Sequence, residues 1–227
     1  VKPIAHIRSP FMEKFGTPRQ PGINREAAGV IEFEPEFRDP NAIRGLENCS
    51  HLWLIFLFDR NPSDKPWSPT VRPPRLGGNE RIGVFASRSP FRPNPIGLSV
   101  VKLESIEPNS DLHVSGIDLV DGTPILDIKP YIAYGDSIPD ASYPAFDRPP
   151  SRLDLPIRYA TSELERDIAH IHAELAPLLE ATLRQDPRPA FQDDPKRSYT
   201  FQLTNCEVTF RITADEIIVE AIDTSRS

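Results

Sequence analysis

Arg88 and Arg92 lie in Ser87-Arg-Ser-Pro-Phe-Arg-Pro-Asn-Pro95, the stretch of the chain best suited to hold a ligand. Pro90, Pro93 and Pro95 withhold three backbone donors and bias Ser89, Arg92 and Asn94 toward extended backbone, which makes the loop stiff. From that stiff support two guanidiniums present forked donors, Ser87, Ser89 and Asn94 add neutral hydrogen-bonding groups, and Gly97 lets the main chain approach a ligand. Such forks suit carboxylates, phosphates and planar groups. One arginine here would read as a solvated surface turn, whereas two in a proline-braced loop point to a site. The device recurs at residues 9–22, where Arg19 and Gln20 stand between Pro18 and Pro21 and offer a planar cation and an amide. It recurs again in Asp186-Pro-Arg188-Pro, where a helix stop and a ligand contact are equally good readings.

Carboxylates supply the complementary chemistry. Asp118-Leu119-Val120-Asp121 ends a strand-like run at a Gly-Thr-Pro turn, where the aspartates either cap the turn or accept hydrogen bonds from ribose hydroxyls. Asp59 and Arg60 follow the apolar run from His51 to Phe58, and chain leaving a buried strand is a common place for ligand groups. His51, at the other edge of that run, reads as a structural histidine. Between Arg72 and Arg92 the five arginines 72, 75, 81, 88 and 92 face one acid, Glu80, in a chain of net charge −7. That balance excludes bulk electrostatic coating of nucleic acid and leaves a local basic face, unless Arg72 and Arg75 pair with distant acids.

The elements that must position these groups are mostly strands. Residues 1–8, Ala28–Phe33, His51–Phe58, Ile82–Ala86, Leu98–Ile106, Leu112–Val120 with a bulge at Gly116, and Ile125–Tyr134 read as short strands parted by Gly, Pro and Asn turns. This pattern predicts a mainly β fold with a small antiparallel barrel, and the unbroken His51–Phe58 run predicts a strand covered on both faces. Residues 139–156, rich in Pro, Ser, Asp and Tyr, read as a linker. A small α+β unit is expected over 157–227, with a capping box at Ser162 and Glu165, a helix kinked or broken by Pro177, and three strands at Tyr199–Leu203, Glu207–Thr213 and Ile217–Ile222. The 227 residues and 38% hydrophobic content support a real core. No run approaches a membrane span or a secretory signal, so a cytoplasmic protein is expected, and Cys49 and Cys206 read as reduced thiols with no metal role.

The dinucleotide-binding glycine pattern, the Walker loop, Cys/His metal spacings and the nucleophile elbow are all missing. Taken together, Ser9-Pro-Phe with Lys14-Phe-Gly-Thr-Pro-Arg-Gln-Pro-Gly, Ser50-His-Leu-Trp, Val71-Arg-Pro-Pro-Arg-Leu-Gly-Gly-Asn, Gly83-Val-Phe-Ala-Ser-Arg-Ser-Pro-Phe-Arg-Pro-Asn-Pro-Ile-Gly, Asp118-Leu-Val-Asp-Gly-Thr-Pro, Asp127-Ile-Lys-Pro-Tyr and Asp186-Pro-Arg-Pro-Ala resemble the bacterial TrmO-type tRNA methyltransferases over nearly the whole chain.

The resemblance implies a homodimeric, S-adenosylmethionine-dependent enzyme that methylates N6 of N6-threonylcarbamoyladenosine at position 37 of tRNA. It also implies a barrel cofactor domain over 1–138 and a small C-terminal domain. Carried over by motif, the cofactor positions are Pro18, Arg19, Gln20, Asp59, Arg60, Arg88, Leu98 and Asp118, Leu119, Val120 and Asp121. Family members often carry His where this chain has Asp59, so a contact there would run through the main chain. Asp121 and Tyr131 are the candidates for taking the proton that the acceptor nitrogen loses. Arg72, Arg75, Arg92, Asn94 and Arg188 are the candidate contacts to tRNA, with anticodon-loop bases stacked on nearby side chains. Two rival readings are a barrel enzyme using the same cofactor on a small molecule and a non-catalytic RNA-binding module.

Overall fold

The computed structural model describes residues 1–61, 67–73, 80–146, 150, 152–170, 173–189, 192 and 194–224. The first half contains strands β1 (Ala5–Arg8), β2 (Ala28–Phe33) and β3 (His51–Leu57), a two-stranded hairpin of β4 (Thr70–Val71) and β5 (Ile82–Gly83), and then β6 (Ile96–Ile106), β7 (Leu112–Ser115) and β8 (Pro124–Pro130). Six of these close into an antiparallel barrel in the order β1-β2-β7-β6-β3-β8. Along β3, Leu52, Leu54 and Phe56 point into the barrel and are buried, as are Ile7, Ile31, Val101, Val114 and Ile125 on its neighbours. The alternate residues of β3, Trp53, Ile55 and Leu57, face outward and stay half-exposed. The expectation of a strand covered on both faces is therefore corrected: its apolar run serves the barrel core with one face and leaves the other on an outer apolar surface.

Gly97 is required by close approach, since a Cβ at this position would lie 2.2 Å from two ring atoms of Phe56 on the paired strand. Gly116, at φ 73°, turns the chain out of β7 into the 117–123 loop, so the strand stops at Ser115 and does not run on to Val120 through a bulge. Likewise, Ile82–Ala86 is two residues of strand followed by a 3-10 turn at Val84–Ala86, and the run from Ile125 ends at Pro130 before a short helix α1 (Ala133–Asp136). Asp136 anchors that helix by accepting bonds from Trp53 Nε1 at 2.9 Å and Ile132 N at 2.8 Å.

The second half has strand β9 (Ile157–Tyr159), helices α2 (Ser162–His170) and α3 (Leu175–Leu183), and strands β10 (Tyr199–Leu203), β11 (Cys206–Ile212) and β12 (Ile217–Asp223). The sheet runs β10-β11-β12-β9, with β9 parallel to β12. Leu178, Leu179 and Leu183 of α3 and Ile168 of α2 pack on its core side. The α2 cap falls one residue earlier than expected: Thr161 Oγ1 accepts from Leu164 N at 3.1 Å, in place of a Ser162–Glu165 box. Pro177 lies in the first turn of α3, where no intrahelical donor is lost, and the break between the helices precedes it.

The two halves share one contiguous apolar core. Phe11 bridges to Leu203, Phe15 meets Phe201 edge-on at 6.3 Å, and Thr204 N donates to the Pro10 carbonyl at 2.6 Å. Residues 153–155 are held by Arg184, whose guanidinium donates to the carbonyls of Leu153 and Leu155.

Candidate active site at one mouth of the barrel

Antiparallel closure brings the 9–27 loop, the end of β3 with Asp59 and Arg60, the 87–95 loop entering β6, and the 116–123 loop to the same end of the barrel. Arg88 Nη1 donates to the Gln20 side-chain oxygen, so the two proline-braced loops meet through the residues the sequence singles out. Asp118 lies within electrostatic reach of Arg88, and Ser99 Oγ donates to its Oδ1 at 2.7 Å. Ser99 is the polar exception among the inward, buried positions of β6, a signal that alternation alone could have flagged.

Dense packing around the Asp118 carboxyl raises its pKa from the ordinary 3.8 to about 6, and the bonds from Ser99 and its own main chain together with the charge of Arg88 oppose that rise. A raised pKa means that the fold favours the protonated form. This group's contribution to stability is fully present below about pH 4 and is lost as pH rises through 6. A carboxylate strained in this way near an arginine is a common property of ligand sites. We expect affinity for a ligand that needs ionised Asp118 to be flat above about pH 7 and to fall as pH drops through 6, approaching tenfold per unit. Asp118→Asn should remove that slope and stabilise the free protein at neutral pH. Calorimetric titration across this range checks both, and an unchanged slope would remove Asp118 from the site.

Other expected residues act through the backbone. Arg60 Nη1 donates to the Met12 carbonyl at 2.8 Å and its Nη2 to the Asp121 carbonyl, so this guanidinium staples the 9–22 loop to the 118–121 segment. Asp121 Oδ1 accepts from Ser9 N at 2.9 Å, and the Leu119 carbonyl accepts from Ser9 Oγ at 2.7 Å. Val120 is capped by Thr123, and Pro18 is buried under the loop. Ser9 and Lys14 stand in the motifs quoted above without a site role of their own, and Asn61 is not singled out in the sequence. Lys14 Nζ donates to the Arg60 carbonyl and to Asn61, and Asn61 Nδ2 donates to the Pro90 carbonyl at 2.8 Å, tying β3's exit to the arginine loop. Their signal is weak, because polar residues in loops are unremarkable until the loops meet.

The remaining expected residues are spread around this mouth or lie away from it. Arg92 turns back on its own loop and donates to the carbonyls of Ser87 and Ser89, while Asn94, Arg72 and Asp59 are exposed. Arg75 lies outside the described residues. Leu98 is on the outer face of β6, opposite Ser99 in direction. Arg188 is gripped bidentately by Asp186, with only 10% of its side chain exposed, and its carbonyl accepts from Arg19 Nη2 at 3.1 Å. Arg19, Arg25, Arg152, Glu180, Asp186 and Arg188 line a cleft of about 700 Å³ between the 14–26 loop and α3. Tyr131 stands beside His51 and Trp53 at the start of β3, about 20 Å from the arginine mouth by strand rise. Among the described residues no helix is long and apolar enough to cross a membrane, and no His, Cys, Asp and Glu cluster is grouped for a metal.

Comparison with known proteins bears on this geometry. The family described as "tRNA-methyltransferase O N-terminal domain" matches residues 6–137, and "TrmO C-terminal domain" matches 154–225. A Pseudomonas aeruginosa protein named "Putative S-adenosylmethionine-dependent methyltransferase RcsF" is 47% identical, covering 96% of this chain and 94% of its own. The Escherichia coli tRNA (adenine(37)-N6)-methyltransferase is 42% identical, with 92% of each chain covered. The crystal structure of TrmO from Pseudomonas aeruginosa superposes with a TM-score of 0.79 at 39% identity, covering 98% of this chain and 95% of the other.

Proposed function

The chain belongs to the tRNA-methyltransferase O family, and from that premise we propose how it carries out its reaction and on which acceptor. It is an S-adenosylmethionine-dependent tRNA (adenine(37)-N6)-methyltransferase. The acceptor we assign is N6 of threonylcarbamoyladenosine at position 37, in the anticodon loop. The observation that carries the placement of the cofactor is the meeting of Arg88, Gln20 and Asp118 at one mouth of the barrel.

The residues there suit the cofactor. Arginine forks, Arg88 and Arg19, can hold its carboxylate, the Asp118 carboxylate can accept from ribose hydroxyls, and the 118–121 main chain offers groups fixed by Ser9, Thr123 and Arg60. When bound, the cofactor supplies a methyl group on a cationic sulfonium, which is transferred to a nucleophile held in line with it. What the chain must do is position that nucleophile, exclude water and accept one proton. Asp121 is our candidate acceptor for the proton, since Ser9 N holds its carboxylate at the mouth. Exposed Arg72 and Asn94 face the RNA, Arg92 stiffens the loop that carries Asn94, and Arg188 acts by presenting its carbonyl to Arg19. In this reading residues 1–138 form the cofactor unit, 139–156 connect, and 157–227 extend the tRNA surface, with the reaction in the cytoplasm.

Tyr131 fits the site only from a second copy. We propose that the outer face of β3 and β6, with Trp53, Ile55, Val100 and Leu98, seats a second chain antiparallel to the first, so that the Tyr131 end of one meets the Arg88 mouth of the other. At cofactor concentrations near the wild-type dissociation constant, Arg88→Ala and Tyr131→Phe would then each be nearly inactive, and mixing them should restore about a quarter of wild-type activity, from one intact site in half of the dimers. Failure to restore would confine the site to one chain.

The reaction is tested by incubating the protein with methyl-labelled cofactor and tRNA with or without the threonylcarbamoyl group, followed by digestion to nucleosides. We expect label on threonylcarbamoyladenosine alone. Label on plain adenosine 37 would overturn the assigned acceptor, and label on a small molecule would favour a different substrate class.

A further inference from the structure

Three large aromatic rings stand in water around the arginine loop. Phe85 is 75% exposed, Phe91 56% and Trp67 53%. Phe85 and Phe91 lie three residues before and three residues after Arg88. Each is held on a braced support. Phe85 rides the 3-10 turn rooted by buried Val84, closed by Ser87 Oγ to the Val84 carbonyl at 2.8 Å and capped by Tyr143, whose hydroxyl donates to the Ala86 carbonyl at 3.1 Å. Phe91 N is held by Ser89 Oγ, and Asn61 fixes the preceding carbonyl. Trp67 sits 6.4 Å from Phe85, tilted by 32°, and Lys14 Nζ lies 5.7 Å from the Phe91 centroid. The exposed cations Arg72, Arg81 and Arg88 interleave with these rings, and Glu80 is the only acid among described residues 67–92.

Rings held rigidly in solvent and alternated with arginines are the physical pattern of a surface that stacks unpaired bases while cations track the backbone. A protein interface would more usually bury one continuous apolar patch with few charges at its centre. We infer that Phe85 and Phe91, with Trp67 behind Phe85, are the stacking platform for the unpaired nucleobases that flank the acceptor adenosine. The platform holds the loop splayed so that its target base reaches the Arg88 mouth. This inference rests on the tRNA reaction proposed above and names the residues that select a single-stranded acceptor.

The test uses the full chain and an anticodon stem–loop RNA carrying 2-aminopurine on the 3′ side of adenosine 37. Stacking should quench the probe on binding to wild type. Phe85→Ala and Phe91→Ala should each weaken RNA affinity by about 5- to 150-fold, while Phe→Tyr at either position restores it and cofactor affinity stays unchanged. Unchanged RNA affinity in both alanine variants would overturn the platform. So would loss of affinity that tracks a change in oligomeric state by light scattering, which would assign the rings to contacts between copies. Wild-type protein that quenches the probe through these rings yet transfers no label to a stem–loop carrying threonylcarbamoyladenosine at position 37 would overturn the reaction and leave the platform standing.

Discussion

Arg88→Ala should raise the dissociation constant for S-adenosylmethionine by about 10- to 100-fold and leave the melting temperature nearly unchanged. The size follows from removing one charge-assisted hydrogen-bonding group from a ligand carboxylate, about 1.5–3 kcal/mol. The fold should tolerate the change because Arg88 is exposed and its one side-chain bond, to Gln20, links two loops already held by prolines and by Asn61 and Lys14. Arg88→Lys keeps the charge and loses the fork, so an intermediate affinity is expected. A second readout separates a site role from loop disorder. The Arg88 charge holds the Asp118 pKa down, so its removal should push that value above about 6 and move the acid limb of the affinity profile to higher pH. Weakened binding with an unmoved limb would mean that the two residues do not share a site, and unchanged affinity would remove Arg88 from it.

The route from sequence to this site was uneven, and the reasons are physical. Strand positions were legible at Ala28–Phe33 and Tyr199–Leu203, where the apolar run and the Pro or Asn turn chemistry that follows it agree. Legibility failed where tertiary contacts decide the outcome. Nothing local says that the His51–Leu57 run has one dry face and one outer face, because that depends on which strands flank it after closure. Arg19, Arg60, Arg88, Arg92 and Arg188 look alike in sequence as arginines beside prolines or turns. The fold separates them by partner: Arg60 and Arg92 bond to main-chain carbonyls, Arg188 is locked to Asp186, Arg19 leans on the Arg188 carbonyl, and Arg88 reaches Gln20 beside Asp118. Local composition selects residues able to bind a ligand, whereas closure of the barrel decides which of them are still open to one.

Gly97→Ala should be the most destabilising of the small substitutions near the mouth, by about 3 kcal/mol, lowering the melting temperature by about 6–12 °C for a chain of this size. The added methyl would sit 2.2 Å from Cε2 and Cζ of Phe56, whose ring is buried in the barrel and packed edge-on against Phe58 at 5.1 Å. A ring wedged between strands cannot yield as a flexible side chain would, so the β3–β6 pairing must spread. The chain on either side carries Ser99, the Asp118 partner, and the arginine loop, so cofactor affinity should fall along with stability. Gly83→Ala is the matched control, with open space where its Cβ would go and an expected change within about 0.5 kcal/mol. Phe56→Leu in the Gly97→Ala background removes the ring atoms that clash, so the double variant should be less destabilised than the sum of the singles. Additive losses in chemical denaturation would show that the glycine is needed for some reason other than the Phe56 ring.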